Sequence, residues 1–114
     1  MPLFFLVDNG SLRPESTFSL RRSAKLLQEK IGAEVVPISL LHSDRVAPEE
    51  LEGQPAEILE PALRERLSQG LRDFVLVPFF FGPSRALTDY IPGRVKELKK
   101  NCPDMIFRMA PPLG

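Results

Sequence analysis

The feature that most constrains the fold is the apolar run Phe74–Phe81, which reads F-V-L-V-P-F-F-F. Seven of its eight residues are Phe, Val or Leu, without polar alternation. Side chains that are apolar on both faces of a strand are typical of a parallel sheet whose two faces are covered by helices. The run therefore predicts a central strand, and Gly82 and Pro83 directly after it predict where that strand ends.

The rest of the chain alternates predicted strands with predicted helices. Further apolar runs are typical of strands at residues 3–7, 34–41 and 105–109. Apolar residues at helical spacing predict helices over residues 14–32, 59–70 and 88–102, with Thr88 or Asp89 as the cap of the last one. This alternation predicts a single α/β domain over residues 1–114. We expect a three-layer sandwich with a central parallel sheet of about four strands, doubly wound in the manner of flavodoxin.

No helical segment follows the last predicted strand, residues 105–109. A three-layer sandwich normally has helices over both faces of its sheet. We therefore expect either that the C-terminal helix of the domain is missing from this sequence or that a partner subunit covers the sheet there.

Composition and charge exclude several classes of protein. Fifteen basic and fifteen acidic residues give zero formal charge, and no basic cluster exceeds Arg21-Arg22 or Lys99-Lys100, so we expect no nucleic-acid partner. The single cysteine, Cys102, excludes an internal disulfide framework and suits a reducing compartment. The run Leu3–Val7 is too short to span a membrane, and no basic region precedes it as in a signal peptide. The sequence therefore predicts a cytoplasmic protein without a membrane partner.

Polar residues follow three of the predicted strands. They are Asp8-Asn9-Gly10-Ser11, His42-Ser43-Asp44, and the segment that carries Ser84, Arg85, Thr88, Asp89 and Tyr90. Because the carboxyl ends of parallel strands meet at one edge of the sheet, we expect these loops to converge on one site for an anionic ligand. The sequence contains no dinucleotide fingerprint, P-loop, cysteine pair or nucleophile elbow that would define the chemistry directly.

Four stretches together resemble the small class II chelatases of the CbiX and SirB type, which insert cobalt, iron or nickel into sirohydrochlorin-like tetrapyrroles. They are N-G-S-L-R-P-E after the first strand, where the family typically has H-G-S-R-x-P, then V-P-F-F-F-G, D-Y-I-P similar to a family D-I-P element, and the terminal P-P-L-G. The resemblance covers nearly the whole chain. It implies a lyase of cobalamin or sirohaem biosynthesis with a tetrapyrrole and a divalent metal, cobalt or iron, as substrates. It also implies no organic cofactor and a homodimer, as in short family members.

The chain departs from the family pattern at both catalytic histidines. The family's first histidine aligns with Asn9 and its second with Ala86. Neutral imidazole binds divalent metals and accepts protons near pH 7, whereas Asn9 cannot act as a base and Ala86 offers no ligand. His42 falls near a position of the second strand where some family members carry an acidic metal-site residue. We therefore expect His42 to bind the metal or take the protons, with Asn9 beside it in the catalytic group.

Five residues of the predicted loops are candidates for binding the tetrapyrrole substrate. These are Gly10, Ser11, Ser84, Arg85 and Asp89. The guanidinium of Arg85 suits a bidentate grip on a carboxylate, but a surface pair with Asp89 is an alternative. The serines either satisfy local backbone groups or lie among N–H groups that bind carboxylates.

Ordinary structural roles stay open for the other candidates. Asn9 suits a left-handed turn before Gly10, and His42 suits an ordinary position at a strand end. Tyr90 suits helix packing. Three functions follow from these alternatives: a chelatase, a relative without catalysis that binds a tetrapyrrole or metal or serves as an interaction subunit, and a flavodoxin-like domain that binds a small phosphate ligand.

Overall fold

The protein, represented by a computed structural model, is described over residues 2–79 and 89–111. Its sheet contains four strands: β1 (Leu3–Asp8), β2 (Val35–Ser39), β3 (Asp73–Pro78) and β4 (Ile106–Met109). Its α-helices are α1 (Pro14–Ile31), α2 (Leu59–Ser68) and α3 (Ile91–Asn101), and two 3-10 helices, Ser43–Arg45 and Pro48–Leu51, lie between β2 and α2. All strand pairs are parallel and the order is β2-β1-β3-β4. The predicted α/β fold is confirmed.

The apolar run that organises the sequence forms β3, which pairs with β1 on one side and β4 on the other. Its Phe74 and Leu76 are fully buried, and the Phe74 ring stacks on Phe5 of β1 with 5.8 Å between the ring centroids. The predicted central position is therefore confirmed for the part of the run up to Pro78. The end of the run, Phe80 and Phe81, lies outside the described residues.

Helices cover both faces of the sheet and produce two core layers. On one face, buried side chains of α2 and α3 such as Leu63 and Leu98 pack with Phe5 and Phe74. On the other face, Leu20 and Ala24 of α1 pack with Leu6, Val35 and Val77. Alternate residues of each strand enter opposite layers, as a pleated strand requires. This arrangement is the predicted three-layer sandwich.

Strand β4 lies at the edge of the sheet and is mostly exposed. The strand register places Arg108 beside Val75, whose side chain belongs to the α1 layer. Ile106, two residues earlier on the same face, is 52% exposed. In the described part of the chain, α1 is the helix that packs on this face, and it leaves the β4 end uncovered.

The helix ends follow local sequence signals in most places. Helix α1 begins at Pro14 and ends at Gly32, which adopts the left-handed conformation that glycine favours. Of the two predicted caps of α3, Asp89 is not the cap, because Tyr90 directly precedes the helix and no described side chain caps it. A capping residue has an extended backbone, whereas Tyr90 is already helical with φ −66° and ψ −53°. The alternative cap, Thr88, lies outside the described residues.

Among the three α-helices of the described ranges, none combines the length and apolar character needed to cross a membrane.

Candidate functional site

The candidate site lies where the neighbouring strands β1 and β2 end at the same edge of the sheet. Asp8 is the register partner of Ser39. Beyond the strands, the Leu40 N–H donates to the Asp8 carbonyl oxygen at 2.9 Å and the Leu41 N–H donates to the Asn9 carbonyl oxygen at 3.4 Å. The structure thus brings the first two predicted loops side by side, because parallel strands carry their following loops to one edge.

Gly10 is required by the close approach of these two loops. Its φ is +102°, and a Cβ atom built on it would lie 1.7 Å from the Leu41 carbonyl oxygen. Any larger residue would therefore meet both backbone strain and a steric clash with an adjacent loop. The glycine of the N-G-S sequence allows the loop after β1 to pack directly on the loop after β2.

A cavity of about 740 Å³ opens above this edge. It is lined by residues 8–16 together with Ser19, Leu20 and Phe79. Three of the predicted site residues, Asn9, Gly10 and Ser11, line it, and Asn9 is exposed there. The cavity volume falls within the range of small-molecule sites, about 300–1,000 Å³.

Asp8, the last residue of β1, lines the cavity and provides a carboxylate there. Its Oδ1 accepts a hydrogen bond of 2.5 Å from the Ser39 hydroxyl. Burial raises the pKa of the Asp8 carboxyl above its usual value, while the Ser39 bond and the N–H groups of Gly10 and of Asp8 itself oppose that rise in pKa. The sequence placed Asp8 in a loop expected at the site but indicated no catalytic or binding role for Asp8 itself. The missing signal was the pairing of β1 with β2, which sets Ser39 beside it.

The N-terminus of α1 forms another part of the cavity wall. Pro14 opens the helix, and no described side chain caps its first turn. The partial positive charge of a helix N-terminus favours anionic groups. Ser11 has a local role here, because its hydroxyl oxygen accepts a hydrogen bond of 3.0 Å from the Arg13 N–H. Of the two alternatives for Ser11, the contact with a local backbone group is therefore observed.

His42 lies next to the site but does not line the cavity. It is exposed and has a φ of 77°, in a region that residues other than glycine rarely adopt. Its neighbour Leu41 makes the backbone bond to Asn9. The next residue, Ser43, is buried, and its hydroxyl has no hydrogen-bond partner among the described residues.

The third predicted loop is only partly described. Ser84, Arg85 and Ala86 lie outside the described residues. Asp89 is exposed at the start of the α3 segment and does not line the cavity. Tyr90 packs against the α2–α3 core layer, and the Arg94 guanidinium lies 5.9 Å from its ring centroid. These contacts fit the packing role for Tyr90.

Within residues 2–79 and 89–111, no three His, Cys, Asp or Glu side chains are grouped as metal ligands would be. The described site therefore consists of one carboxylate, polar backbone and side-chain groups, and a helix N-terminus around an open cavity. These groups can bind an anionic molecule and accept a proton.

Comparisons with known proteins identify similar sequences and structures. The family model named CbiX matches residues 3–114. The crystal structure of a cobalamin (vitamin B12) biosynthesis CbiX protein from Marinobacter aquaeolei VT8 has a TM-score of 0.72 and 18% sequence identity to this chain. The match covers 100% of this chain and 83% of that protein, and at this identity it supports the fold. No curated protein matches the sequence.

Proposed function

Because the chain belongs to the CbiX family, we propose that it inserts, or helps to insert, a divalent metal into sirohydrochlorin in cobalamin or sirohaem biosynthesis. The metal, cobalt or iron, is a substrate in this proposal, and no organic cofactor is required. The observation that carries the proposal is the cavity lined by Asn9, Gly10 and Ser11. These residues belong to the N-G-S-L-R-P-E stretch that resembles the family's H-G-S-R-x-P motif.

Two groups at the cavity wall, the N-terminus of α1 and Arg13, can attract the carboxylates of an anionic tetrapyrrole, while Asp8 and Glu15 also line the cavity. Sirohydrochlorin carries several carboxylates at its periphery, and the N-terminus of α1, which no described side chain caps, favours negative charge. The exposed Arg13 lines the same cavity and offers a guanidinium for a bidentate bond. We propose that Arg85, Ser84 and Asp89 contribute further contacts to the substrate.

Metal insertion also needs a group that binds the incoming ion or takes the pyrrole protons. We propose His42 for this part, because it is exposed and follows Leu41, whose backbone is bonded to Asn9. Neutral imidazole has the required affinity for divalent metals. On this basis His42→Ala should abolish insertion activity, whereas Asp104→Asn, on the exposed surface beside Arg72, should not change it. A His42→Ala protein with the full rate would contradict the role of His42.

A second candidate function is binding without catalysis. It is favoured by Asn9, which lines the cavity and stands where the resemblance places a histidine, because its carboxamide cannot act as a base. In that case the protein would hold a tetrapyrrole or a metal, or serve as an interaction subunit.

One assay separates the two functions. Purified protein is mixed with sirohydrochlorin and Co²⁺ or Fe²⁺, and the absorbance change is followed against a control without protein. We expect a faster spectral change with protein than without it. An unchanged rate would refute the enzymatic function, and a spectral shift in the absence of metal would then support binding alone.

The variant Asn9→His provides a further comparison in the same assay. It restores an imidazole on an exposed residue of the cavity wall without altering Gly10. If the cavity binds the tetrapyrrole in the family's manner, the insertion rate should rise above that of the natural sequence. An unaltered rate together with normal substrate binding would show that Asn9 lies away from the reacting nitrogens.

We also propose that the protein is a homodimer, following the short members of the family. The exposed β4 end of the sheet, including Ile106, supports a covering subunit. Sedimentation at several concentrations tests this assembly, and a monomer at every concentration would contradict it.

A further inference from the structure

We propose that Asp8 accepts a pyrrole proton during metal insertion and that Ser39 is the residue that positions its carboxylate. This inference rests on the proposed function and identifies a group within the same cavity. It assigns a proton acceptor to a chain in which Asn9, the next residue, cannot act as a base.

The position of Asp8 is fixed by the sheet. It is the last residue of β1, which is hydrogen-bonded to β2 on one side and β3 on the other. The 2.5 Å bond from the Ser39 hydroxyl to Oδ1 then restrains the side chain. A reactive group held by rigid strands and by a supporting hydrogen bond is positioned more accurately than one on a loop. His42, by comparison, is exposed outside the cavity lining.

The carboxylate retains capacity to accept a proton from a ligand. An ionised carboxylate has about four lone-pair sites. Among the described residues, the Ser39 hydroxyl and the backbone N–H groups of Gly10 and Asp8 are the hydrogen-bond donors that act on it. With respect to the described residues, these three donors leave one such site on the carboxylate, and Asp8 lines the cavity.

The surroundings of Asp8 favour its protonated form. Burial raises the pKa of the carboxyl, and a general base works best when its pKa lies near the working pH. Among the described residues that line the cavity, the other charged groups are Arg13 and Glu15, both exposed at the start of α1. On β2, the residue beside Asp8 is the uncharged Ser39. Directly after β3, the apolar Phe79 lines the same cavity.

The proton transfer balances without any oxidant or reductant. A pyrrole N–H bond breaks, its electron pair stays on nitrogen and forms the bond to the metal, and the proton bonds to the Asp8 carboxylate. The resulting neutral acid releases that proton to water through the open cavity, and the second pyrrole proton leaves in a second such step. Two protons are thereby exchanged for one divalent ion.

The test uses the full chain, sirohydrochlorin and Co²⁺. Asp8→Asn keeps the size of the side chain but removes the base, so we expect the insertion rate to fall about 100-fold. Binding of sirohydrochlorin without metal, followed by its absorbance, should change less than about threefold, because the polar shape of the side chain is kept. The matched control is Asp73→Asn, at the opposite end of the sheet, where Asp73 pairs with Arg108. Its rate should equal that of the natural sequence.

Ser39→Ala tests the positioning role of Ser39 through the pH dependence of the insertion rate, which a purely structural role would not change. The Ser39 bond lowers the pKa of Asp8, so its removal should raise that pKa further. The rise of the insertion rate with pH should then move to higher pH in Ser39→Ala than in the natural sequence.

The possible results distinguish the inference from the proposed function. If the natural protein accelerates insertion while Asp8→Asn keeps its rate and pH profile, the inference is overturned and the chelatase function stands. If Asp8→Asn loses sirohydrochlorin binding in parallel with the insertion rate, Asp8 has a structural role, and the inference is overturned as well. No acceleration by the natural protein would overturn the proposed function, and the role of Asp8 with it.

Discussion

Replacement of Gly10 by alanine tests whether the contact between the two site loops holds this edge of the sheet together. The new methyl group would lie 1.7 Å from the Leu41 carbonyl oxygen, at a backbone φ of +102°. Relief of this overlap requires the loop after β1 to move away from residues 40 and 41. That movement breaks the bonds from the Leu40 N–H to Asp8 and from the Leu41 N–H to Asn9.

The cost has two parts that can be estimated separately. Strain at a positive φ costs about 1–3 kcal/mol. The two backbone hydrogen bonds contribute about 0.5–1.5 kcal/mol each. Gly10→Ala should therefore reduce the free energy of unfolding by about 2–6 kcal/mol, a large share of the roughly 5–15 kcal/mol that is typical of a domain.

Two other glycines of the chain separate the two parts of this cost. Gly53 has a φ of +80°, but no atom of the described residues lies within 4 Å of its added Cβ, so Gly53→Ala should show the strain alone. Gly93, in α3, has no positive φ and no close neighbour among the described residues, so Gly93→Ala should stabilise the protein by up to about 1 kcal/mol. The urea-induced unfolding of the three variants measures these differences. If Gly10→Ala costs no more than Gly53→Ala, the packing of the two loops on each other does not contribute to stability.

Three further outcomes are expected. Burial raises the pKa of the Asp8 carboxyl in the folded protein above its pKa in the unfolded chain. Protonation of Asp8 therefore favours the folded state at low pH, and this stabilisation is lost as pH rises through the folded-state pKa. The free energy of unfolding of Asp8→Asn, relative to that of the natural sequence, should therefore increase on going from pH 4 to pH 7. Urea unfolding measures this difference at each pH, and the same difference at both would contradict the expectation. Asp104→Ala should cost less than about 1 kcal/mol because its bond to Arg72 is exposed. Arg72→Ala should cost more, since Arg72 also donates to the Leu67 carbonyl oxygen near the end of α2, and equal losses in thermal unfolding would show that this bond is unimportant.

Much of the fold could be predicted from local patterns. The run beginning at Phe74 is apolar at every position that faces either layer, so burial on both faces follows from its composition. Gly32 ends α1 because a left-handed residue is needed there, and Pro92 falls in the first turn of α3, where its missing N–H does no harm. The cap of α3 could not be predicted in the same way, because Tyr90 is already helical.

The site was predicted less completely than the fold. The sequence indicated that Asn9, Gly10 and Ser11 follow a strand, and the structure places all three at the cavity. The sequence also indicated His42 as a catalytic residue, and the structure places it beside the cavity and outside its lining. The left-handed backbone of His42 depends on how the chain turns after β2, and no local pattern specifies that turn.

The sequence by itself determined the type and approximate extent of each strand and helix, since these depend on burial patterns and on the conformations open to Gly and Pro. Only the tertiary structure decided which strand ends became neighbours. The order β2-β1-β3-β4 pairs Asp8 with Ser39 and sets Gly10 against Leu41, contacts that join residues about thirty positions apart. Such contacts depend on the packing of the whole sheet. For that reason the pairing of Asp8 with Ser39, and with it a role for this carboxylate, could be recognised only in the folded chain.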